Sequence, residues 1–392
     1  MTRASAKSLA EIAEFVQYGY TASASEHHVG PRFLRITDIV PSQIDWDSVP
    51  YCEIDEKARN KFSLATGDIV IARTGATVGY AKLIRNNPES VFASYLVRIR
   101  VDRQIADPGY VGRIVESDVY KQFVLSQVGG AAQPNANAKI LSSFRLPIPD
   151  RSTQSRIVEI LSAYDDLIEN NRRRIQLLEQ SARLLYKEWF VHLRFPGHEH
   201  TQIINGVPEG WEKKPLREIA DVTMGQSPKS IYYNNDGNGL PFHQGVTNFG
   251  VRFPKHETYC TVQSRIAEPG DILFSVRAPV GRINITPDKI VIGRGLAAIR
   301  SICDHQNYLF YALKSHFFKE DMIGGGAIFA AITKKDLYGV ELIKPTDRIA
   351  AMFMEHVVPI DLQIANLHQT IERLTKARDL LLPKLMNGEV AV

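Results

Sequence analysis

The feature that most constrains the fold of this 392-residue chain is an internal repeat. The segment Leu9–Ala13 (Leu-Ala-Glu-Ile-Ala) returns as Leu216–Ala220 (Leu-Arg-Glu-Ile-Ala), and the triplet Gly67–Ile69 (Gly-Asp-Ile) returns as Gly270–Ile272. A period of roughly 200 residues is far longer than the 20–50 residues of a solenoid unit. The sequence therefore predicts a duplicated module, in which a globular domain followed by a helix occurs twice.

Single residues also recur within this frame. Arg73 is matched with Arg277, because each follows an apolar strand-like run. Lys139 is matched with Lys334, because each follows a glycine-rich loop. The stretches between the shared pieces differ in length and composition, so the repeat predicts two domains with a common frame and different loops.

Each copy ends in a tract of seven-residue repeats with apolar residues at the first and fourth positions, as in a coiled coil. Asn171 is the polar position, and it either fixes the register or is simply tolerated there. The predicted seam residues are Leu161, Tyr164, Ile168, Asn171, Ile175, Leu178 and Leu185 in the first tract, and Val357, Ile360, Ile364, Leu367, Ile371, Leu374 and Leu381 in the second.

Matched tracts favour two long helices that pair with each other, and the direction of the chain favours an antiparallel pair. The alternative is that each helix is amphipathic and packs only on its own domain. Pro383 predicts a kink or an end of the second helix. The first tract spans roughly 36 Å at about 1.5 Å per residue, which is close to one turn of B-DNA.

The predicted fold class is therefore mixed α/β (α+β). Two globular domains are joined by two long antiparallel coiled-coil helices, with an internal pseudo-two-fold repeat. Four segments are expected: a first domain over 1–152, a first spacer helix over 153–195, a linker and second domain over 196–346, and a second spacer helix with a C-terminal tail over 347–392.

The composition is that of an ordinary globular protein, with 44% hydrophobic and 23% charged residues. Neither an apolar run long enough to span a membrane nor a signal-peptide core is present, so a cytoplasmic location without membrane association is expected. Three isolated cysteines argue against a disulfide framework and a zinc site. The net charge of +4 permits nucleic-acid binding without requiring it.

Motifs for catalysis are missing from the sequence. It contains no phosphate-binding loop of the Gly-x-x-x-x-Gly-Lys type and no dinucleotide-binding Gly-x-Gly-x-x-Gly after a strand. The histidine pairs His27–His28 and His198–His200 lack the spacing of metal ligands. We therefore expect no catalytic residues, no metal site and no cofactor of its own, which favours a binding scaffold over an enzyme.

Loops at strand ends supply the candidates for DNA contact. Arginine and lysine suit phosphates or guanine, asparagine and glutamine suit adenine, and aromatic rings add stacking. The alternative is that these are ordinary solvated loops. The candidates are Tyr20, Thr21, Arg73, Thr74, Gln133, Asn135, Asn137 and Lys139 in the first copy, and Gln226, Ser227, Lys229, Tyr233, Arg277, Phe329 and Lys334 in the second.

Several short motifs in a fixed order carry a resemblance to a known family. Besides the Leu-x-Glu-Ile-Ala repeats, they are the tract from Asp165–Asn171 through Trp189–Phe190, and the segments Gly206–Trp211, Gly225–Pro228, Gly239–Gly245 and Arg378–Glu389. Each motif is weak alone, but their order and spacing are specific. Over essentially its whole length, the chain resembles the specificity subunit of a type I DNA restriction–modification system.

The resemblance implies that each globular domain reads one half of a bipartite, gapped site in double-stranded DNA. The helices would set the gap and dock two methyltransferase subunits, and restriction subunits would complete the complex. S-adenosylmethionine, ATP and Mg²⁺ are then expected on the partner subunits. Two alternatives stay open: a DNA methyltransferase or nuclease with an unrecognised catalytic motif, and a coiled-coil adaptor that does not bind DNA.

Overall fold

A computed structural model of the chain describes residues 5–41, 43–129, 134–317, 331–386, 388–390 and 392. Its contacts divide the chain into two compact units. Unit 1 comprises Met1–Asn171 and Gln369–Val392, and unit 2 comprises Arg172–His368. Because both long helices are divided between the units, the units cut across the four segments proposed from the sequence, and those segment boundaries stay a prediction.

Unit 1 is built on a four-stranded antiparallel sheet with two smaller strand pairs. Its described strands are β1 (Ser5–Ser8), β2 (Ala13–Tyr18), β3 (Arg32–Leu34), β4 (Asp68–Ala72), β5 (Ala81–Leu83), β6 (Ser90–Phe92), β7 (Leu96–Val101) and β8 (Arg145–Ile148). The main sheet has the order β2-β7-β4-β5, β1 pairs antiparallel with β8, and β3 pairs parallel with β6.

The central strand β4 is buried on both faces, because side chains alternate across a strand. Ile69 and Ile71 face a cluster that includes the long helices, whereas Val70 and Ala72 face the core beside β3 and β6. The helices are α1 (Leu9–Ile12), α2 (Ile36–Ile39), α3 (Glu56–Phe62), α4 (Pro108–Val115), α5 (Asp118–Gln127), α6 (Ala138–Ser142) and α7 (Arg151–Tyr186).

Unit 2 has the same kind of architecture with more strands. They are β9 (Ile203–Ile204), β10 (Val207–Pro208), β11 (Glu212–Pro215), β12 (Ala220–Met224), β13 (Tyr233–Asn234), β14 (Leu240–His243), β15 (Tyr259–Cys260), β16 (Ile266–Ala267), β17 (Ile272–Ser275), β18 (Ile283–Ile285), β19 (Ile290–Ile292), β20 (Leu296–Ser301) and β21 (Glu341–Lys344). The helix α7 continues into a π-helical turn over Lys187–Val191. The later helices are α8 (Gln306–Phe317), α9 (Lys334–Tyr338) and α10 (Asp347–Met386).

The strand pairing of unit 2 repeats that of unit 1. The sheet order β12-β20-β17-β18 corresponds to β2-β7-β4-β5, and the antiparallel pair β11-β21 corresponds to β1-β8. The parallel pair β14-β19 corresponds to β3-β6. The predicted duplication of a mixed α/β module is confirmed.

Backbone hydrogen bonds fix the register of the repeat and correct the match between Arg73 and Arg277. In unit 1 the Gly79 amide donates to the carbonyl of Ala72, the last residue of β4. In unit 2 the Gly281 amide donates to the carbonyl of Ser275, the last residue of β17. The next residue is Arg73 in unit 1 and Val276 in unit 2, so Arg277 corresponds to Thr74. The match was wrong because Arg277 lies one residue farther from the shared Gly-Asp-Ile motif.

The match between Lys139 and Lys334 is also shifted. Asn137 caps α6 and Thr333 caps α9, each through its side chain. Lys139 is the second residue after its cap, and the second residue after Thr333 is Lys335. Lys334 therefore corresponds to Ala138.

The long helices run antiparallel within each unit. In unit 1, Asp165 of α7 accepts a hydrogen bond from Nη1 of Arg378, near the end of α10, at 2.8 Å. In unit 2, the ring of Tyr186 at the end of α7 lies 6.0 Å from the ring of Phe353, near the start of α10. The antiparallel arrangement is confirmed. The helix α10 continues through Pro383 and ends at Met386, so the expected break comes slightly later.

The predicted seam residues lie on the inner sides of the two helices. The buried ones are Leu161, Ile168, Asn171, Ile175, Val357, Ile364 and Leu367. The half-buried ones are Tyr164, Leu178, Leu185, Ile360, Ile371, Leu374 and Leu381. Both helices also contribute to the cores of the globular domains, since Leu161 and Leu385 belong to the core of unit 1 and Val357 to that of unit 2.

A buried arginine joins the globular part of unit 2 to both helices. Arg252 is 1% exposed, and its Nε donates to Oε1 of Glu179 on α7 at 2.6 Å. Its Nη1 donates to Oδ1 of Asp361 on α10 at 3.0 Å, and its Nη2 donates to the Tyr311 hydroxyl at 2.8 Å. The guanidinium also lies 4.3 Å from the centre of the Phe310 ring. One side chain thus satisfies carboxylates on two helices at once.

A second buried polar contact in unit 2 joins two histidines. His243 is 3% exposed, and its Nε2 lies 2.8 Å from Nδ1 of His256, whose Nε2 lies 3.2 Å from Oδ2 of Asp288. Burial and the neighbouring His256 lower the pKa of His243 from 6.5 to about 4. The folded unit therefore favours neutral His243.

We expect Arg252→Ala to lower the free energy of unfolding of unit 2 by about 3–5 kcal/mol, because Asp361 would stay buried without a cation and Glu179 would keep only Lys314, at 3.3 Å. Chemical denaturation measures this loss. Lys255→Ala is the matched control, since its pair with Glu257 is 79% and 50% exposed and should contribute less than about 1 kcal/mol. Equal losses in both variants would contradict a central role for Arg252.

We expect unit 2 to lose stability as the pH falls from about 6.5 to about 4. In that window the unfolded chain protonates His243 while the folded unit keeps it neutral, which removes about 3 kcal/mol in total. His243→Gln should flatten this part of the pH–stability curve in denaturation series. His192→Gln removes a histidine that is 42% exposed, and an equal flattening there would refute the assignment.

Candidate nucleic-acid interface

In unit 1, four chain segments meet beyond the strand ends. The amide of Tyr20 donates to the carbonyl of Phe92 at 2.8 Å, and the amide of Arg73 donates to the carbonyl of Tyr95 at 3.1 Å. The carbonyl of Arg73 accepts from the amide of Ala136 at 2.8 Å. We call residues 19–21, 73–75, 93–95 and 134–137 the loop edge of unit 1.

Arg73 is held in place on this edge. Its guanidinium lies 4.8 Å from the centre of the Tyr18 ring, and Nη2 donates to Oδ1 of Asn135 at 3.4 Å. Thr74 and Asn135 form an antiparallel β-bridge. Nε of Arg73 is buried and has no hydrogen-bond partner among the described residues. Arg73 is therefore half-buried and preorganised rather than freely solvated.

The other candidates of unit 1 are placed in different ways. Tyr20 is half-buried beside Phe62, at 5.5 Å between ring centres, and Thr21 is exposed. Asn137 uses its Oδ1 to cap α6, accepting from the Ile140 amide at 2.9 Å. A bidentate adenine contact by Asn137 would require that oxygen, so its main role here is the cap. Lys139 is exposed on α6. Gln133 lies outside the described residues.

Unit 2 has the same backbone arrangement. The amide of Gln226 donates to the carbonyl of Ile292 at 3.0 Å, and the amide of Val276 donates to that of Gly295 at 2.9 Å. The carbonyl of Val276 accepts from the amide of Ile332 at 2.9 Å. We call residues 225–227, 244, 276–277, 293–295 and 331–332 the loop edge of unit 2.

The candidates of unit 2 divide between this edge and its neighbourhood. Gln226 and Arg277 are exposed on the edge, and Ser227 is half-buried there. Lys229 is exposed in the following loop. Tyr233 stacks on Phe242, at 4.5 Å between ring centres, and donates its hydroxyl to the Pro228 carbonyl. This contact makes Tyr233 part of the folded frame.

The remaining candidates of unit 2 lie after its loop edge. Lys334 is exposed at the start of α9, with its ammonium 5.0 Å from the centre of the Tyr338 ring. Phe329 lies outside the described residues.

The structure adds edge residues that the sequence did not single out. Tyr95 is 38% exposed on the edge of unit 1, and Gln244 and Arg294 are exposed on the edge of unit 2. The signal for Arg294 was its position between Gly293 and Gly295, directly after a strand of β-branched residues. It was missed because the first copy has Ala-Ser-Tyr at the matched place.

The chemistry of the two edges is that of hydrogen bonding rather than metal binding. Among the described residues, no group of three or more histidine, cysteine or acidic side chains is arranged to hold a metal ion. Within those same ranges, no helix has the length and apolarity needed to cross a membrane. The edges present guanidinium, amide, hydroxyl and aromatic groups, which are the groups that contact phosphates and base edges.

Comparisons with known proteins identify a matching family and several similar proteins. The family described as "Type I restriction modification DNA specificity domain" matches residues 7–180 and 208–374. The chain is 30% identical to the putative type I restriction enzyme MjaX specificity subunit of Methanocaldococcus jannaschii, over 98% of this chain and 93% of the relative. It is 23% identical to the HindI specificity subunit of Haemophilus influenzae, over 87% and 91%.

A solved structure shows the same fold. The type I restriction–modification S subunit from M. genitalium superimposes with a TM-score of 0.54 at 14% identity, covering 97% of this chain and 96% of that one. The family match covers both copies of the repeat, and the relatives match nearly the whole chain. The chain therefore belongs to the type I restriction–modification DNA specificity family.

Proposed function

We propose that this chain is the DNA-recognition subunit of a type I restriction–modification complex, and that units 1 and 2 each bind one half of a bipartite site in double-stranded DNA. The observation that carries the proposal is the pair of loop edges. One hydrogen-bonded backbone frame occurs in both units and holds different side chains in each. A shared frame suits two matching approaches to a duplex, and different side chains suit two different base sequences.

The charge on the two edges supports an asymmetric site. The edge of unit 1 carries one half-buried arginine together with Asn135 and Tyr95, whereas the edge of unit 2 carries exposed Arg277 and Arg294. Neither Arg277 nor Arg294 forms an ion pair with the described residues. Unpaired guanidinium groups favour phosphate and guanine contacts.

The methylation and cleavage chemistry is proposed to lie on partner subunits. Two methyltransferase subunits would carry S-adenosylmethionine, and restriction subunits would use ATP and Mg²⁺. The chain itself would act without a cofactor. Turnover by the isolated chain, with cofactor supplied, would instead identify a methyltransferase or nuclease. An adaptor role without DNA would appear as the absence of sequence-specific binding in the first experiment below.

The long helices offer a surface for the methyltransferase. Leu177 and Leu184 of α7 and Val191 of the following π-helical turn recur every seven residues, and they are 56%, 47% and 50% exposed. Scattered apolar side chains on a surface are ordinary, but a periodic row on one helix indicates a contact surface. In unit 1, Leu167 and Leu380 are 51% and 60% exposed. One methyltransferase subunit on each unit would cover both groups.

Shortening both long helices by one heptad should shorten the gap between the recognised half-sites. Seven residues correspond to about 10 Å of helix, so the change is at most about three base pairs at about 3.4 Å per pair. The measurement is binding of the full chain, assembled with methyltransferase, to duplexes in which only the gap length varies. An unchanged preferred gap would contradict the spacer role. Absence of sequence-specific binding by the unaltered complex would contradict the function itself.

The double variant Leu177→Glu, Leu184→Glu should lower the ratio of methyltransferase to this chain from two to one in purified complexes, because charges would replace a buried apolar contact. Analytical ultracentrifugation measures the ratio. Val119→Glu on α5 is the matched control, since Val119 is 54% exposed outside the long helices. A ratio that stays the same in both variants would place the methyltransferase elsewhere.

A further inference from the structure

A Gly-Arg-Gly turn, Gly293–Gly295, lies in the middle of the loop edge of unit 2. The amide of Gly293 donates to the carbonyl of His243 at 2.8 Å, and the amide of Gly295 donates to that of Gln244 at 3.1 Å. The carbonyl of Gly295 accepts from the Val276 amide at 2.9 Å. The turn is therefore bonded on one side to the end of β14 and on the other to the end of β17.

Close backbone approach explains the two glycines. A Cβ on Gly293 would lie 2.6 Å from Oε1 and 2.8 Å from Cα of Gln244. A Cβ on Gly295 would lie 2.5 Å from the Gln244 carbonyl oxygen. Side chains at these two positions would clash with the backbone of the neighbouring segment. Arg294 is thus the only residue of the turn with a side chain, and it is carried on a fixed backbone.

The side chains around Arg294 form an ordered set of donors. The Arg294 amide donates to Oγ of Ser227 at 3.1 Å, and that hydroxyl donates to Oε1 of Gln244 at 2.8 Å. Exposed Gln244 can offer a ligand its amide nitrogen, which bonds to none of the described residues, while one of the two lone pairs of Oε1 already accepts from Ser227. The exposed Arg294 guanidinium has no carboxylate partner among the described residues. The site offers donors and little acceptor capacity.

A site that offers mainly donors matches the major-groove edge of guanine. Guanine presents two acceptors there, N7 and O6, and a bidentate arginine is their commonest partner. Adenine presents a donor beside its acceptor, and the usual glutamine contact to adenine needs Oε1, one of whose two lone pairs already accepts from Ser227. Phosphate oxygens are also acceptors, so phosphate is the competing ligand for the same donors.

The matched turn of unit 1 has different chemistry. The carbonyl of Tyr95 accepts from the Arg73 amide, just as the carbonyl of Gly295 accepts from the Val276 amide. Arg73 and Val276 each follow the central strand of their unit. Ser94 therefore stands where unit 2 has Arg294, and Tyr95 where it has Gly295. At this position of the shared backbone frame, unit 2 has a guanidinium group and unit 1 does not.

We infer that Arg294 reads a guanine in the half-site bound by unit 2, with the Gln244 amide as a second donor to the same or the adjacent base pair. The inference rests on the proposed function, since it requires that unit 2 binds duplex DNA by its loop edge. Guanine is then one base of this half-site, and Arg294 is the residue that contacts it.

The test uses the full chain assembled with its methyltransferase subunits and a pool of duplexes with random sequence. The selected site of the unaltered complex should contain a guanine whose replacement weakens binding about 10- to 100-fold. Arg294→Ala should weaken binding to the selected site by the same factor and abolish the preference at that one position, while the other positions keep theirs. Arg294→Lys should keep only a weakened preference, because lysine can still donate to guanine but lacks the planar fork.

Arg217→Ala is the charge-matched control. Arg217 is 59% exposed and precedes β12, whereas the loop edge follows the other end of β12, so this variant should keep the full site. The side chain of Arg294 is exposed, so its variants should fold, as thermal melting will show.

Three results would overturn the inference in distinguishable ways. Uniform weakening of all sequences by Arg294→Ala, with a smaller salt dependence and rescue by Arg294→Lys, would identify a phosphate contact. An unchanged site in Arg294→Ala would remove Arg294 from the interface. If the unaltered complex selects no sequence, the proposed function fails together with the inference.

Discussion

An ion cluster joins each globular domain to both long helices, and it is buried in unit 2 and partly buried in unit 1. In unit 2, Arg252 joins Glu179 of α7 and Asp361 of α10. In unit 1, Asp165 of α7 lies 3.0 Å from Nη2 of Arg113 in the globular domain and 2.8 Å from Nη1 of Arg378 on α10. The hydrophobic effect is non-directional, whereas an ion with little access to water needs its partners at fixed places. These clusters therefore set the position of each loop edge relative to the helices of its own unit.

The loop edges show how one frame can serve two recognition tasks. The bonds that shape them run between backbone groups, and glycines allow the closest approaches, so the frame makes few demands on the remaining side chains. Residues such as Arg294 and Tyr95 can then differ between copies without loss of the fold. Specificity changes in such a protein need not disturb stability.

The sequence predicted features that depend on regular spacing or duplication. Periodicity and chain order predicted the heptads of α7 and α10, their antiparallel direction and the repeated α/β module. Both signals can be read directly from the sequence. Features that depend on long-range contacts were not predicted. Arg252 lies far in sequence from Glu179 and Asp361, and no local pattern connects them.

The candidate site was predicted in part for the same reason. Residue types pointed to loops, and Tyr20, Thr21, Arg73, Thr74, Asn135, Gln226, Ser227 and Arg277 meet on the two edges. Asn137 and Tyr233 were chosen for their hydrogen-bonding groups, but a helix cap and a carbonyl already use those groups. The matches of Arg73 with Arg277 and of Lys139 with Lys334 failed because they followed residue type, whereas the backbone bonds and the helix caps align the copies one residue away.

The division of the long helices has a consequence for synthesis on the ribosome. Unit 2 is a continuous stretch, Arg172–His368, whereas unit 1 combines Met1–Asn171 with Gln369–Val392. The core of unit 1 includes Leu385 and the half-buried Leu381, Leu382 and Met386, which are translated after all of unit 2. The domain that emerges first must therefore wait for the last helix before its core is complete, and the domain that emerges second can finish folding earlier.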